Sequence, residues 1–143
     1  MVNIMFQSDV ILPYQFSCYI FNASLLCFLS GIVAIYREYY DLAFVPLSVG
    51  FTSVMYWIHP DMSWRRTVDI SVVQIGLMYQ IYRAWNAEHM LLYYGFTGTG
   101  ILCFIPGVFL FRQKQYCVST VCHCLLHIFA NIGNVLLYVG DVP

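Results

Sequence analysis

His123 and His127 stand four residues apart in the run "HCLLH". In a helix that spacing puts both imidazoles on one face, about one turn apart. Two imidazoles so placed reach one metal ion at roughly 2.0–2.1 Å each. They suit equally well a pair of hydrogen-bonded core histidines. A third imidazole, His59, and a carboxylate, Asp69, flank a short polar gap upstream. A catalytic zinc site takes three protein ligands and leaves a position open for water. Asp69 would then hold that water or remove its proton. The structural alternative for Asp69 is an ion pair with Arg65 or Arg66 at a helix start, where a carboxylate also suits the helix dipole. Ser53 precedes His59 by six residues, which places it far round the helical cylinder and about two turns away. The plainer expectation for Ser53, as for Ser48 and Thr52, is a bond to its own helix backbone.

These groups need helices to hold them, and the composition says where those helices lie. The chain has 143 residues, 61% of them hydrophobic and 9% charged. A soluble domain carries about 25% charged residues. So few charges do not cover a water-facing surface, so the expectation is an integral membrane protein. Its fold class is all-α, a polytopic transmembrane helix bundle. The net charge of −1 says nothing about nucleic acid, but no basic patch exists to bind its phosphates, so no nucleic-acid partner is expected. The partner is the lipid bilayer, and a membrane lipid is the candidate substrate. The six cysteines lie mostly in apolar runs and follow no zinc or disulfide spacing, so they read as reduced packing residues.

A span needs about 20 mostly apolar residues. Five segments qualify, at about 16–36, 42–59, 67–85, 89–111 and 116–139, within one domain covering 1–143. The start "MVNIMFQSDVILPYQ" lacks the basic lead of a signal peptide, so the first span is expected to be retained. The triplet Asn22-Ala23-Ser24 lies within that span, out of reach of glycosylation. Short gaps make neighbouring helices antiparallel. One side then carries Arg65, Arg66, Arg112 and Lys114, and the other carries Arg37 and Arg83. That count places the N-terminus in the cytoplasm. Aromatic residues near span ends, among them Tyr36, Tyr39, Tyr40, Trp57, Trp64, Trp85 and Tyr138, read as the interfacial belt. The run "GFTGTG", with Gly95, Gly98 and Gly100, offers a small-residue face for close helix approach. Pro46 and Pro106 lie inside spans.

This topology gives the candidate residues a common depth. His59 closes the second span and Asp69 opens the third on the same side. The fifth span also enters there, with His123 about two turns in. Three histidines and a carboxylate are expected to converge in that half of the bilayer. Glu88 and His89, on the opposite side, read as interfacial. Asn131 and Asn134 lie further along and read as helix-to-helix hydrogen bonders.

"SVMYWIH" (Ser53 to His59), Asp69 and "HCLLHIFANIG" from His123 together resemble the CREST superfamily of membrane zinc hydrolases. That superfamily includes alkaline ceramidases and the progestin and adiponectin receptors. The resemblance covers residues of about 50–134. It implies a zinc held by His59, His123 and His127, with Asp69 and Ser53 near the metal-bound water, and hydrolysis of a lipid amide such as a ceramide. The family has seven helices where this chain has five. The missing pair falls between the Asp69 helix and the last helix, so the side on which the last helix enters is kept. The family's serine stands one turn before the histidine, where this chain has Met55.

Two other readings stand beside the zinc hydrolase. One is a non-enzymatic multi-pass membrane protein, structural or for assembly, in which the polar residues join helix to helix. The other is a haem-binding electron carrier. Two histidines one turn apart on one helix serve a single haem iron poorly, because its axial ligands come from opposite sides.

Overall fold

The structure is a computed structural model that describes residues 10–143. Most of the N-terminal lead-in, residues 1–9, lies outside the described residues. The apolar stretches form six helical segments: α1 (Tyr14–Ser24), α2 (Leu26–Tyr36), α3 (Tyr40–Trp57), α4 (Trp64–Ala84), α5 (Met90–Arg112) and α6 (Tyr116–Val139). The first two are one rod of 23 residues, Tyr14–Tyr36, interrupted at Leu25. Two polar side chains explain the interruption. Asn22 Nδ2 donates to the Cys18 carbonyl at 2.7 Å, and Ser24 Oγ to the Ile20 carbonyl at 2.8 Å. Such back-bonding to the preceding turn bends helices. The five resulting rods match the five expected spans, and the largest end shift is three residues, at Trp64.

Tight turns make neighbouring rods antiparallel. Glu38 and Lys114 adopt positive φ, 63° and 61°, just past α2 and α5. At each, the next N–H reaches back to a carbonyl near the helix end, Tyr39 to Ala34 and Gln115 to Leu110, both at 2.9 Å. This left-handed cap satisfies carbonyls that the helix end would otherwise leave open.

Three rods, Tyr14–Tyr36, Met90–Arg112 and Tyr116–Val139, are long and apolar enough to cross a membrane. The surface agrees with them. Phe44, Leu91 and Leu102 point outward at 72%, 80% and 70% exposure, while Ser17, Ser24, Ser30 and Ser53 are at most 1% exposed. That pattern is inverted for water. It suits lipid, where small residues facing inward let helices approach closely.

The helices form an open arc. α6 packs most extensively on α5 and also meets α1 and α2, while α3 meets α1, α2 and α4. The order round the arc is α4, α3, α1/α2, α6, α5, and its two ends barely touch. Beside their shared loop, the Tyr94 hydroxyl donates to the Ile81 carbonyl at 2.9 Å. The α5–α6 seam is close because glycines line it. A Cβ at Gly107 would lie 2.8 Å from Cys122 Cβ, and one at Gly100 would lie 3.2 Å from the Leu126 carbonyl. Gly95 and Gly98 face open space, so of the three glycines expected to form a packing face only Gly100 does so.

The bundle is closed at one end. Leu42, Ala84, Tyr93, Leu137 and Tyr138 form an apolar core near the α4–α5 loop. Gln80 Nε2 donates to the Tyr138 hydroxyl there at 2.5 Å, and Arg83 and Tyr79 both donate to the Asp41 carboxylate. Tyr138, expected in the interfacial belt, is thus wholly buried, because Gln80 gives its hydroxyl a partner inside. Tyr36, Tyr40, Trp64 and Trp85 are exposed. All six cysteines are free.

Candidate functional site

Between α4 and the α5–α6 pair lies a cleft of about 450 Å³, lined by Ser53, Asp69, His123 and His127 among others. A second cavity of about 390 Å³ adjoins it towards the start of α4. The two share Asp69, Ile70, Phe104 and His123 as lining residues.

Asp69 enters the cleft from the second turn of α4 and is 8% exposed. Its Oδ1 accepts from Ser53 Oγ at 2.7 Å and from Thr52 Oγ1 at 3.0 Å. Ser53 therefore bonds across to α4 and not to its own backbone, because α3 and α4 lie close enough for the carboxylate to reach it. The ion pair expected as the alternative for Asp69 is not formed with Arg65. That arginine pairs with Asp61 at 2.8 Å and also donates to the Met55 and His59 carbonyls. The α4 N-cap fixes this arrangement: Ser63 Oγ accepts from the Arg65 N–H, and Asp61 accepts from the Ser63 N–H. Hydrogen bonds from Ser63 and Arg65 hold the Asp61 carboxyl below its ordinary range. Among the described residues, Asp69 has no cation within ion-pair distance.

His123 and His127 face each other with ring centroids 5.3 Å apart. Trp57 at 5.0 Å and Phe104 at 5.2 Å present edge-on contacts to His123. His127 is 8% exposed, and its Nε2 is buried without a hydrogen-bond partner.

His59 does not join them. α3 ends at Trp57, and the next residue after His59 is Pro60, whose ring disfavours helical backbone at the position before it. The His59 side chain is 50% exposed and its Nδ1 lies 3.9 Å from Asp61 Oδ2. Trp57, expected at the interface, takes the place beside His123 that a third imidazole would need. Among the described residues, no three His, Cys, Asp or Glu side chains form a group able to hold a metal ion. The zinc held by His59, His123 and His127 that the resemblance implies does not fit this geometry.

Several lining residues were not singled out from the sequence. Gln74 stands at the midpoint of α4 and Gln80 lies two turns further on, both in the cleft wall. Amides inside an expected span are the signal that would have found them, as it found Asn131. Asn131 accepts from Ser30 Oγ at 2.6 Å, joining α6 to α2, and donates to the His127 carbonyl at 2.8 Å. Asn131 and Asn134 both line the cleft. Tyr93 and Thr97, one turn apart on α5, also line it, and their hydroxyls are buried without hydrogen-bond partners.

This site offers hydrogen-bond and proton-accepting groups along a wall that is otherwise apolar, in a cleft open at the side of the bundle. Such a place suits an amphiphilic molecule better than a small polar one. Compared with family models, curated proteins and solved structures, the chain matches none.

Proposed function

We propose that this chain is a multi-pass membrane protein that takes a lipid ligand sideways into the cleft between α4 and α5. One observation carries the reading: α4 and α5 form the two ends of the arc, barely meet, and have polar groups between them. In a bilayer, that gap opens towards the acyl chains. The unpartnered His127 Nε2, with Gln74, Tyr93 and Thr97, then faces a place where lipid alone leaves polar groups unsatisfied. A ligand bearing hydroxyl, amide or ester oxygens satisfies them. In this reading all five rods cross the membrane. The end with Arg65, Arg66, Arg112 and Lys114 faces the cytoplasm.

The test is to fill the cleft. Leu77→Trp and Ile101→Trp each place a large ring among its lining residues. Native mass spectrometry of the wild-type chain should show a co-purifying lipid that both variants lose. A wild-type chain stripped of lipid, or variants that retain it equally, would contradict the reading.

The zinc-dependent lipid-amide hydrolase is the second reading. What favours it is that four of its five residues, Ser53, Asp69, His123 and His127, line one cleft. It requires His59 to leave the α3–α4 loop or another group to replace it. Stoichiometric zinc that is lost in His123→Ala, together with ceramide turnover, would establish it. Neither zinc nor turnover in the purified chain would end it.

A further inference from the structure

The cavity beyond the cleft carries donors that the cleft reading does not use. Arg66 lines it from the first turn of α4 and Arg112 from the last turn of α5. Neither forms an ion pair among the described residues. Trp57 Nε1 and Thr120 Oγ1 line the same cavity, buried and without hydrogen-bond partners. Guanidinium and indole N–H groups only donate, and the Thr120 hydroxyl, which can also accept, takes no bond from them. Asp69 also lines the cavity, but its carboxylate lies beyond ion-pair distance of both guanidiniums. Asp69 Oδ1 takes the Ser53 and Thr52 hydroxyls, and the Ser119 hydroxyl is turned to the Gly107 carbonyl at 2.8 Å.

Two guanidiniums, an indole N–H and a hydroxyl lining one cavity suit a group rich in lone pairs. Two guanidiniums specify its charge, because planar arginine forks bind phosphate oxygens in pairs through charge-assisted bonds. The two cavities meet at Ile70 and Phe104 together with Asp69 and His123, and beyond them Val73, Leu77 and Ile101 make much of the wall apolar. A head with several acceptors therefore leads into a passage fit for hydrocarbon. We propose that the ligand of the cleft is a phosphate-headed, single-chain anionic lipid. Its phosphate is held by Arg66, Arg112, Trp57 and Thr120, and its chain runs past Ile70 and Phe104 between α4 and α5. The proposal rests on the cleft reading above and adds the class of ligand. A phosphate held between the two arginines also links the two ends of the arc, at the end where α4 and α5 are not joined by a loop.

Binding to the full-length chain in a neutral detergent tests it. The probes are lysophosphatidic acid, a neutral monoacylglycerol with the same acyl chain, and inorganic phosphate with no chain. Lysophosphatidic acid should bind at least about tenfold tighter than the monoacylglycerol, as expected for charge-assisted phosphate contacts. Combining Arg66→Gln and Arg112→Gln should remove that preference and leave monoacylglycerol binding nearly unchanged. Trp57→Phe keeps an aromatic ring against His123 and removes the indole N–H with its five-membered ring, so a partial loss of the same preference tests the site without relying on the arginine variants to fold. Equal affinity for the two lipids, or a preference that survives both sets of substitutions, would overturn the phosphate site and leave the cleft standing. Inorganic phosphate binding as tightly as the lipid would overturn the lipid source. Binding of none of the probes would overturn the phosphate site, and the co-purification experiment on the cleft would then decide the wider reading.

Discussion

Asp69 is the residue whose position most needs a reason. A carboxylate inside a segment expected to span the membrane is costly and marks function by default. Here two hydroxyls donate to one of its oxygens and no described cation balances it. Asp69→Asn keeps an acceptor for Ser53 and removes the charge. It should raise stability by about 1 kcal/mol in a denaturant titration in detergent and weaken lipid retention. A substitution that destabilises the chain and leaves retention unchanged would make Asp69 a structural residue. Asn131 is the contrasting case, a polar group with its partners inside the bundle. Asn131→Ala takes the acceptor from Ser30 and should cost about 0.5–1.5 kcal/mol in the same titration, with retention kept. Among single residues the sequence was partly legible. The spacing of His123 and His127 put them on one helix face because helical geometry is local. The place of His59 depended on where α3 stops, and Pro60 was the signal for an earlier stop. The bond from Ser53 to Asp69 was not legible, because it depends on how closely α3 and α4 approach, a distance that no local pattern carries.

Among the elements, the rods themselves were readable, since a span is a length of apolar chain bounded by charges. Their faces were less so. α5 is apolar nearly all round, so its composition does not say which glycines meet a neighbour. The structure separates them, and the separation can be measured. Gly107→Val should push α5 off α6 at Cys122 and cost about 1–3 kcal/mol, the usual range for overpacking a close contact. Gly98→Ala meets nothing within 4 Å and should be neutral or gain up to about 1 kcal/mol from helix propensity. Thermal unfolding of the two variants in one detergent checks the pair, and similar losses in both would mean that the outward face of α5 is also a packing face. The interruption at Leu25 belongs here too. Asn22 and Ser24 were visible in the sequence, but only their bonds to Cys18 and Ile20 show that they divide the first rod.

For the molecule as a whole, the arc is what gives the site its access. Nothing in the sequence fixes which helices touch, because short loops demand only that consecutive rods run antiparallel. α4 and α5 are consecutive and yet form the two ends of the arc, so the cleft lies between neighbours in sequence that are not neighbours in packing. The orientation of the arc in the membrane is a separate expectation. Cys117 is exposed at the start of α6, on the side assigned to the cytoplasm. A membrane-impermeant thiol reagent should label it in inside-out vesicles and spare it in intact cells. The reverse pattern would invert the topology while leaving the cleft intact.

Photo-crosslinking with a lipid that carries a diazirine on its acyl chain tests the cleft most directly. Adducts are expected on Val73, Leu77 and Ile101, which line the cleft, and they should be lost in Leu77→Trp. Adducts confined to outward-facing side chains such as Leu91 and Phe109, unchanged in that variant, would contradict lipid entry between α4 and α5.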